Sequence, residues 1–304
     1  MSMMVQALAP VFALIILGHL MQRWQFPGAG FWQQAERLTY FVLFPVMLVF
    51  KLGQARLDGE AYSEILMLVA LMLAGMTLLL LLAQLIGRWP GPVFSSVYQG
   101  GLRFNTYVAL AATGMLLGDT GLALMAVCVA VMVPLVNLFC IVMFSLAVGD
   151  GSLRLWPVVR TIITNPLIIG SLIGIIWSYF RIGFHPIFAG ILEPLSNLAL
   201  PLGLMTVGAG LQMKALKGAS GAFVVSSAAK LVAFPLMTAG LVLALGIDGI
   251  LAQVAVLLAA LPTATSAYIL ARQLGGDAPL MAGIISGQTL LAVITLPLVL
   301  GWLW

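Results

Sequence analysis

Long apolar runs, separated by short stretches that hold the charged residues, dominate the chain. A transmembrane helix needs about 20 mainly apolar residues to cross a bilayer. Runs such as Leu78–Leu82 do not alternate between apolar and polar residues, as strands of a membrane barrel would. The second segment extends back toward Phe31. The pattern therefore predicts ten helical spans: Met3–Met21, Leu38–Phe50, Ile65–Gly87, Gly91–Leu117, Leu122–Val148, Thr161–Ser178, Pro194–Met213, Ala222–Leu245, Gly249–Ala271 and Leu280–Trp304.

The composition is also that of a protein embedded in the lipid bilayer. Hydrophobic residues make up 62% of the 304 positions and charged residues only 7%, whereas soluble domains are about 25% charged. Disorder, a coiled coil and nucleic-acid binding are excluded, because each needs far more charge or polar sequence. The first apolar segment lacks the positive flank of a signal peptide, so we expect it to be a retained helix.

Basic residues are distributed unevenly between alternate loops, which predicts the orientation. Cytoplasmic loops are enriched in lysine and arginine. One set of loops holds eight basic residues and is assigned to the cytoplasm: Arg23, Arg37, Arg88, Arg154, Arg160, Lys214, Lys217 and Arg272. The other set holds three: Lys51, Arg56 and Arg181. With ten spans, both termini are then expected outside.

The two halves of the chain share collinear landmarks. Pro10 and Pro45 recur 156 residues later, and a Leu-x-Gly-Asp motif that ends at Asp119 recurs 158 residues later. This predicts a first five-helix repeat over residues 1–150 and a second over 151–304. An odd number of spans inserts the second repeat upside down, as in secondary transporters that bind substrate where two interrupted helices meet.

The ninth span is predicted to be interrupted at Pro262, which removes a backbone hydrogen bond in mid-membrane. Such a break survives only where protein, water or a ligand satisfies the freed groups. Thr263, Thr265 and Ser266 follow directly and are candidate ligand contacts. A plain kink, satisfied by these hydroxyls alone, is the alternative.

The fourth span is predicted to break near Gly100-Gly101, because glycine pairs interrupt helices. Arg103, Asn105 and Thr106 follow. An arginine near the bilayer centre is costly and therefore a functional candidate, although snorkelling or a contact to backbone carbonyls is an alternative. Half-helices starting at Asn105 and Thr263 would face each other and favour an anion, and Arg103 offers a fork that matches a carboxylate.

Three further polar residues lie within predicted spans. Lys230 is a second intramembrane cation, for which snorkelling to the cytoplasmic interface is the favoured interpretation. Asn137 and Gln288 occupy matching spans of the two halves. Hydrogen bonding between helices explains these two as well as ligand contact does.

Neither a catalytic, a cofactor nor a metal site is predicted. The chain lacks the His-Glu-x-x-His, phosphate-loop and Gly-x-Ser-x-Gly motifs, and no acidic residue lies deep in a span, which argues against a sodium cage or a carboxylate proton relay. Gly170 and Gly174 form a Gly-x-x-x-Gly pair, for which packing inside the bundle and a homodimer contact are both open.

Several segments resemble the auxin efflux carrier family of bacterial permeases, which is related to the plant PIN exporters and to bile-acid sodium symporters. The resemblance covers essentially the whole chain. It rests on Leu38–Pro45, Arg103–Tyr107, Val133–Asn137 and Leu261–Tyr268.

The resemblance implies an all-α membrane protein of ten helices in two inverted repeats, with scaffold and transport domains that each take helices from both. It also implies crossed, broken fourth and ninth helices, Asn105 and Thr106 beside a substrate carboxylate, and Pro262 at the crossing. Phe104 departs from the plant pattern, which has proline there. The long cytosolic loop of many plant members is absent.

The expected function is secondary transport of a small organic anion, a carboxylate, across the bacterial inner membrane by alternating access at a midplane site. The substrate and the lipid bilayer are the expected partners. A passive uniporter or channel of the same fold and a non-transporting membrane sensor are the alternatives.

Overall fold

A computed structural model of the chain describes residues 2–28, 30–55, 60–148, 160, 163–218 and 220–303. Every regular element in these ranges is helical, as predicted. The helices are α1 (Ser2–Arg23), α2 (Phe31–Leu38), α3 (Phe44–Gln54), α4 (Glu60–Gly87), α5 (Gly91–Leu102), α6 (Thr106–Ala147), α7 (Pro166–Tyr179), α8 (Pro186–Ala209), α9 (Gly221–Ala228), α10 (Phe234–Leu245), α11 (Gly249–Ala260), α12 (Ala267–Leu274) and α13 (Ala278–Leu303).

Six segments of the described chain are long and apolar enough to cross a membrane, which makes this a multi-pass membrane protein. The helices α7 and α11 are apolar but shorter. There are fewer such segments than the sequence predicts, because the fourth and fifth predicted spans count as one and the second, sixth and ninth are not among them. The six are Met4–Arg23, Ser63–Gly87, Gly91–Ala147, Pro186–Ala209, Gly221–Leu245 and Ala278–Trp302.

Two predicted boundaries need correction. The seventh span was expected to begin at Pro194, but α8 begins at Pro186, since proline has no N–H to lose in a first helical turn. The sixth span was expected from Thr161, which lies outside the described residues, and α7 begins at Pro166. The side chain of Asn165 caps α7 by accepting from the first free backbone N–H groups.

Two π-helical turns, Thr39–Leu43 and Ala229–Ala233, interrupt otherwise continuous helices. Each is followed at once by Phe-Pro, at Pro45 and Pro235. A proline ring crowds the carbonyl four residues earlier, and a wider turn relieves this clash. The first turn joins α2 to α3, which confirms that the second helical segment reaches back to Phe31.

The Gly170–Gly174 face of α7 packs on α3 of the same chain. A Cβ added at Gly170 would lie 2.8 Å from the Cα of Pro45, and one at Gly174 would lie 2.8 Å from the carbonyl oxygen of Leu48. Small residues at this interface allow the backbones to approach closely. Packing inside the bundle therefore uses this motif, and the homodimer alternative for this face is wrong.

The turn predicted between the fourth and fifth spans is a kink inside α6. Gly118 has φ 64° and ψ −159°, a conformation that favours glycine. The next residue, Asp119, accepts a hydrogen bond of 2.8 Å from Nζ of Lys51 at the end of α3. This surface ion pair links the kink to a neighbouring helix.

Candidate functional site

The first interruption lies between α5 and α6 and contains no proline. Arg103 and Asn105 have extended backbones, with ψ of 157° and 103°. The Oδ1 atom of Asn105 accepts from the N–H groups of Tyr107 at 3.0 Å and Val108 at 3.2 Å. Asparagine is a strong N-cap, so the start of a half-helix at this point, predicted from the sequence, is confirmed.

The glycine pair predicted to break the fourth span does not do so. Gly100 and Gly101 are helical residues of α5. A Cβ at Gly100 would lie 2.5 Å from Oγ of Ser226 and 2.7 Å from Cγ2 of Ile284. These glycines are needed for close helix packing, and the break comes two residues later.

The second interruption, Leu261–Ser266, is longer. The half-helix predicted to start at Thr263 starts at Ala267 as α12. The N–H of Thr263 donates to Oε1 of Gln288 at 3.0 Å, and its hydroxyl donates to the carbonyl of Gly100 at 2.6 Å. The N–H group of Thr263 is therefore satisfied by the protein and is not free for a ligand.

The two interruptions cross and are joined by their backbones. The N–H of Asn105 donates to the carbonyl oxygen of Pro262 at 2.8 Å. Non-helical backbone at membrane depth must find partners inside the protein, and here each interruption supplies one to the other. The meeting of these two positions agrees with the alignment of the two halves of the sequence.

Arg103 bridges two further predicted residues at this crossing. Its Nη1 donates to Oδ1 of Asn137 in α6 at 2.8 Å, and its Nη2 donates to Oγ of Ser266 at 3.2 Å. Both partners are neutral. Within the described part of the chain, no carboxylate lies within salt-bridge distance of this guanidinium, and Glu36, the acidic residue of the adjoining cavity, is not paired with it.

Two adjoining cavities of about 390 and 290 Å³ lie beside the crossing. One contains Asn105 and Thr265, and the other Arg103 and Asn137. The Nδ2 atom of Asn105 is buried and has no hydrogen-bond partner among the described residues. Both cavities are lined by Tyr40, Thr106, Leu167, Ala264, Ser266 and Ile269.

The structure therefore divides the predicted site residues into two groups. Six of them line the cavities: Arg103, Asn105, Thr106, Asn137, Thr265 and Ser266. Four are absent from the cavity walls: Pro262, Thr263, Gln288 and Lys230. Gln288 is fully buried and holds both Thr263 and Gly100, which makes its contacts structural ones.

Snorkelling, the favoured interpretation of Lys230, is wrong. The side chain is 0% exposed and lies in the π-helical turn Ala229–Ala233. Its Nζ is 4.5 Å from the centroid of the Phe234 ring. A lysine that snorkels keeps its head in water, whereas this one points into the packed interior.

Sequence reasoning missed the part of the cavity wall contributed by the second and sixth predicted spans. Glu36, Arg37 and Tyr40 lie on one face of the α2 segment, at the helical spacing of three and four residues. Asn165 lines the cavity of Arg103. The Asn165-Pro166 pair before an apolar run is an N-cap signal and could have placed this residue.

Comparison with known proteins supports a transport role. Residues 154–300 match the family described as membrane transport protein. The chain is 24% identical over 292 residues to an uncharacterized transporter of Methanothermobacter thermautotrophicus, covering 95% of this chain and 94% of that protein. A proposed malonate transporter of Rhizobium meliloti is 31% identical over 191 residues, covering 58% of this chain and 59% of that protein.

A plant relative is auxin efflux carrier component 3a of Oryza sativa, 31% identical over 144 residues. The match covers 45% of this chain but only 23% of the rice protein. The second half of the chain is thus similar to a family of membrane transport proteins. The resemblance to the auxin efflux carrier family is confirmed by the same similarities.

Proposed function

We propose that the protein is a secondary transporter that carries a small organic carboxylate across the cytoplasmic membrane by alternating access at the helix crossing. The observation that carries the proposal is Arg103. Its guanidinium lines a cavity beside the crossing of two interrupted transmembrane helices, and its hydrogen-bond partners, Asn137 and Ser266, are neutral. A charge kept in such a place without a counter-ion is expensive, and a substrate anion would balance it.

The surrounding groups suit the same ligand. The unpartnered Nδ2 of Asn105 is a donor at the cavity wall, and the positive end of the α6 dipole lies at Thr106. A carboxylate accepts hydrogen bonds from arginine and amide donors together. Arg103, Asn105 and Thr106 are therefore the proposed anion contacts, with Ser266 and Thr265 on the facing segment.

We propose ten membrane crossings in two inverted repeats, residues 1–150 and 151–304. The crossing of α5–α6 with α11–α12 at aligned positions supports this arrangement. Helix packing supports it too. The first predicted span packs on the seventh, and the second packs on the sixth. These two pairs are equivalent if the sixth and seventh spans repeat the first and second. A Cβ at Gly18 would lie 2.0 Å from the carbonyl of Met205, and one at Gly208 would lie 1.8 Å from that of Ile15.

The proposed orientation places both termini outside the inner membrane. Arg37 of α2 lines one cavity and Gln273 of α12 lines the other. Arg37 and Arg272, the neighbour of Gln273, belong to the set of arginines predicted to be cytoplasmic. The Lys51–Asp119 ion pair lies at the opposite ends of α3 and the first part of α6. The structure would then represent an inward-facing state, with its external side closed.

A small carboxylate is the proposed substrate class. One relative is named as a proposed malonate transporter, and malonate is a dicarboxylate that would fit a cavity of this size. Two plant-type relatives are named auxin efflux carriers. Malonate and indole-3-acetate are therefore the probes with which to start.

The test compares the wild-type protein with Arg103→Ala. Binding of malonate and indole-3-acetate is measured by calorimetry, and saturable flux and counterflow are measured in proteoliposomes. We expect Arg103→Ala to weaken binding by about 30-fold to 1000-fold, the range for truncating a partly buried charge contact. The matched control is Arg181→Ala, which removes an exposed loop arginine and should leave binding unchanged.

The outcomes separate the candidate functions. Equal affinity in Arg103→Ala and wild type would remove Arg103 from the site. Flux without saturation or counterflow would indicate a passive channel, and binding without flux would indicate a sensor. Gel filtration establishes that each variant is folded before its affinity is interpreted.

A further inference from the structure

The proposed transport site does not use Lys230, although this lysine is among the most deeply buried side chains of the described chain. It is 0% exposed, and its Nζ has no hydrogen-bond partner among the described residues. The Nζ atom of Lys230 lies over the face of the Phe234 ring, 4.5 Å from the ring centroid. An aromatic face attracts a cation but cannot donate or accept a proton.

The described elements packed against the turn of Lys230 carry no acidic, basic or histidine side chain, and their one titratable group is the phenol of Tyr98 in α5, which is hydrogen-bonded to Thr77 at 2.8 Å. These elements are α5, α9, α10, α11 and α13, and none of them contains Asp, Glu, Lys, Arg or His within its described range. Their polar residues are Ser, Thr, Gln and Tyr. The helix α4, which packs on α10, carries acidic residues only in its first turns, at Glu60 and Glu64.

The turn that carries Lys230 is nevertheless tied to the helix crossing. Ser226, four residues earlier, donates through its hydroxyl to the carbonyl of Val97 at 3.1 Å. Its own carbonyl accepts from Nε2 of Gln288 at 3.4 Å. The Oε1 atom of Gln288 accepts from the N–H of Thr263 in the second interruption. Lys230 is therefore linked to this interruption through Ser226 and a single glutamine.

These facts lead to a role in proton binding. A positive charge buried without a counter-ion is costly, and an anion at the crossing would lower that cost because charges attract strongly in a medium of low dielectric constant. We propose that Lys230 binds one proton when an organic anion occupies the crossing and releases it when the anion leaves. The amine becomes an ammonium by taking a proton from water, and no other bond changes.

This inference rests on the proposed function and names the proton as its coupling ion. By linkage, a ligand that binds together with a proton must bind more weakly as pH rises. The affinity falls by up to about tenfold per pH unit where the free protein holds the neutral amine. A variant without the amine should bind the anion with an affinity that does not depend on pH.

The experiment measures protons and anions together, without requiring transport. Malonate is added to purified protein in weakly buffered solution between pH 7 and pH 9, above the range in which carboxylic acids titrate. An indicator dye follows the pH, and calorimetry gives the affinity. We expect wild type to take up close to one proton per malonate bound, and Lys230→Met to bind malonate without proton uptake.

The matched control is Lys214→Met, which removes an exposed lysine and should retain the proton uptake of wild type. If Lys230→Met does not fold, Lys230→Gln replaces it, and the pH dependence of wild-type affinity is an independent reading. The inference is overturned if the wild-type affinity for malonate does not depend on pH, or if Lys230→Met takes up as many protons per malonate as wild type. Either result would leave the proposal of anion transport unaffected. Failure of wild type to bind malonate or indole-3-acetate at any pH contradicts the proposed function as well.

Discussion

The two interruptions that meet at the crossing are formed in different ways. The first is three residues long, lacks proline, and ends on the side-chain cap of Asn105. The second is six residues long, contains Pro262, and leads into α12 without a side-chain cap. It is held instead by the hydrogen bonds of Thr263 to Gln288 and to Gly100.

This difference separates ligand chemistry from structural support. Arg103 and Asn105, in the first interruption, line the cavities and retain donors that no described residue satisfies. In the buried part of the second interruption, the N–H and the hydroxyl of Thr263 are satisfied by protein. Substitutions of Arg103 and Asn105 should therefore affect anion binding, and substitutions of Thr263 or of its partner Gln288 should affect stability.

The largest effect is expected at the first interruption, from Asn105→Asp. Aspartate caps a helix as well as asparagine does, so the fold should persist. The change replaces the cavity-facing amide donor with a carboxylate oxygen that repels an anion and can pair with Arg103. We expect malonate binding to be lost, by at least about 100-fold in Kd, while the thermal unfolding midpoint changes little.

A comparison with Asn105→Ala sharpens this prediction. Alanine removes both the cap and the donor, so we expect a loss of about 1–2 kcal/mol in stability together with weaker binding. If Asn105→Asp bound malonate as tightly as wild type, the first interruption would not contact the anion. Calorimetry and thermal unfolding are measured on the same samples.

At the second interruption, Gln288→Ala should chiefly lower stability. The change leaves the N–H of Thr263 buried without a partner and removes a donor to Gly100. Unsatisfied buried polar groups cost about 1–3 kcal/mol each, so we expect the unfolding midpoint to fall by several degrees. The malonate affinity of the folded fraction should change less than it does in Asn105→Ala, and the reverse order would refute the division proposed here.

Thr263→Val is the matched variant for the same network. It keeps the shape of the side chain and the backbone N–H, but removes the hydroxyl that donates to Gly100. We expect a loss of about 1 kcal/mol, the usual contribution of one hydrogen bond, because the carbonyl of Gly100 still accepts from Nε2 of Gln288. Thr263→Ser should restore most of it.

The smallest effect is expected from Pro262→Ala. The non-helical backbone here accepts a hydrogen bond from the N–H of Asn105 at the carbonyl of residue 262, which alanine also provides. The cost should be about 1 kcal/mol or less, mainly through the greater freedom of the unfolded chain. Loss of folding or of binding in Pro262→Ala would show that the proline itself maintains the break.

The sequence predicted where the helices break better than it predicted why. The alignment of the two halves brought Asn105 close to Pro262, and the structure places them in contact. The glycine pair was assigned the break because glycine is a helix breaker in general, but Gly100 serves close packing against Ser226. Local propensity cannot distinguish these roles, because the neighbour that requires a glycine lies 126 residues away in the chain.

Lys230 illustrates the same limit for a charged residue. Its position in an apolar run is compatible with both snorkelling and burial, because the sequence does not show which way the long side chain points. The π-helical turn before Pro235 and the packing of five helices decide that it points inward. The ligand-binding roles of Arg103, Asn105 and Thr106 stay predictions.

By itself, the sequence determined that the protein is helical and spans a membrane, because apolar length and scarce charge are properties of each segment alone. It also indicated a resemblance to the auxin efflux carrier family, through short motifs such as Arg103–Tyr107. Only the tertiary structure decided which polar groups face the cavities and which support the crossing. That assignment depends on hydrogen bonds between residues far apart in the chain, such as those of Gln288 with Thr263 and Gly100, and no local pattern records such bonds.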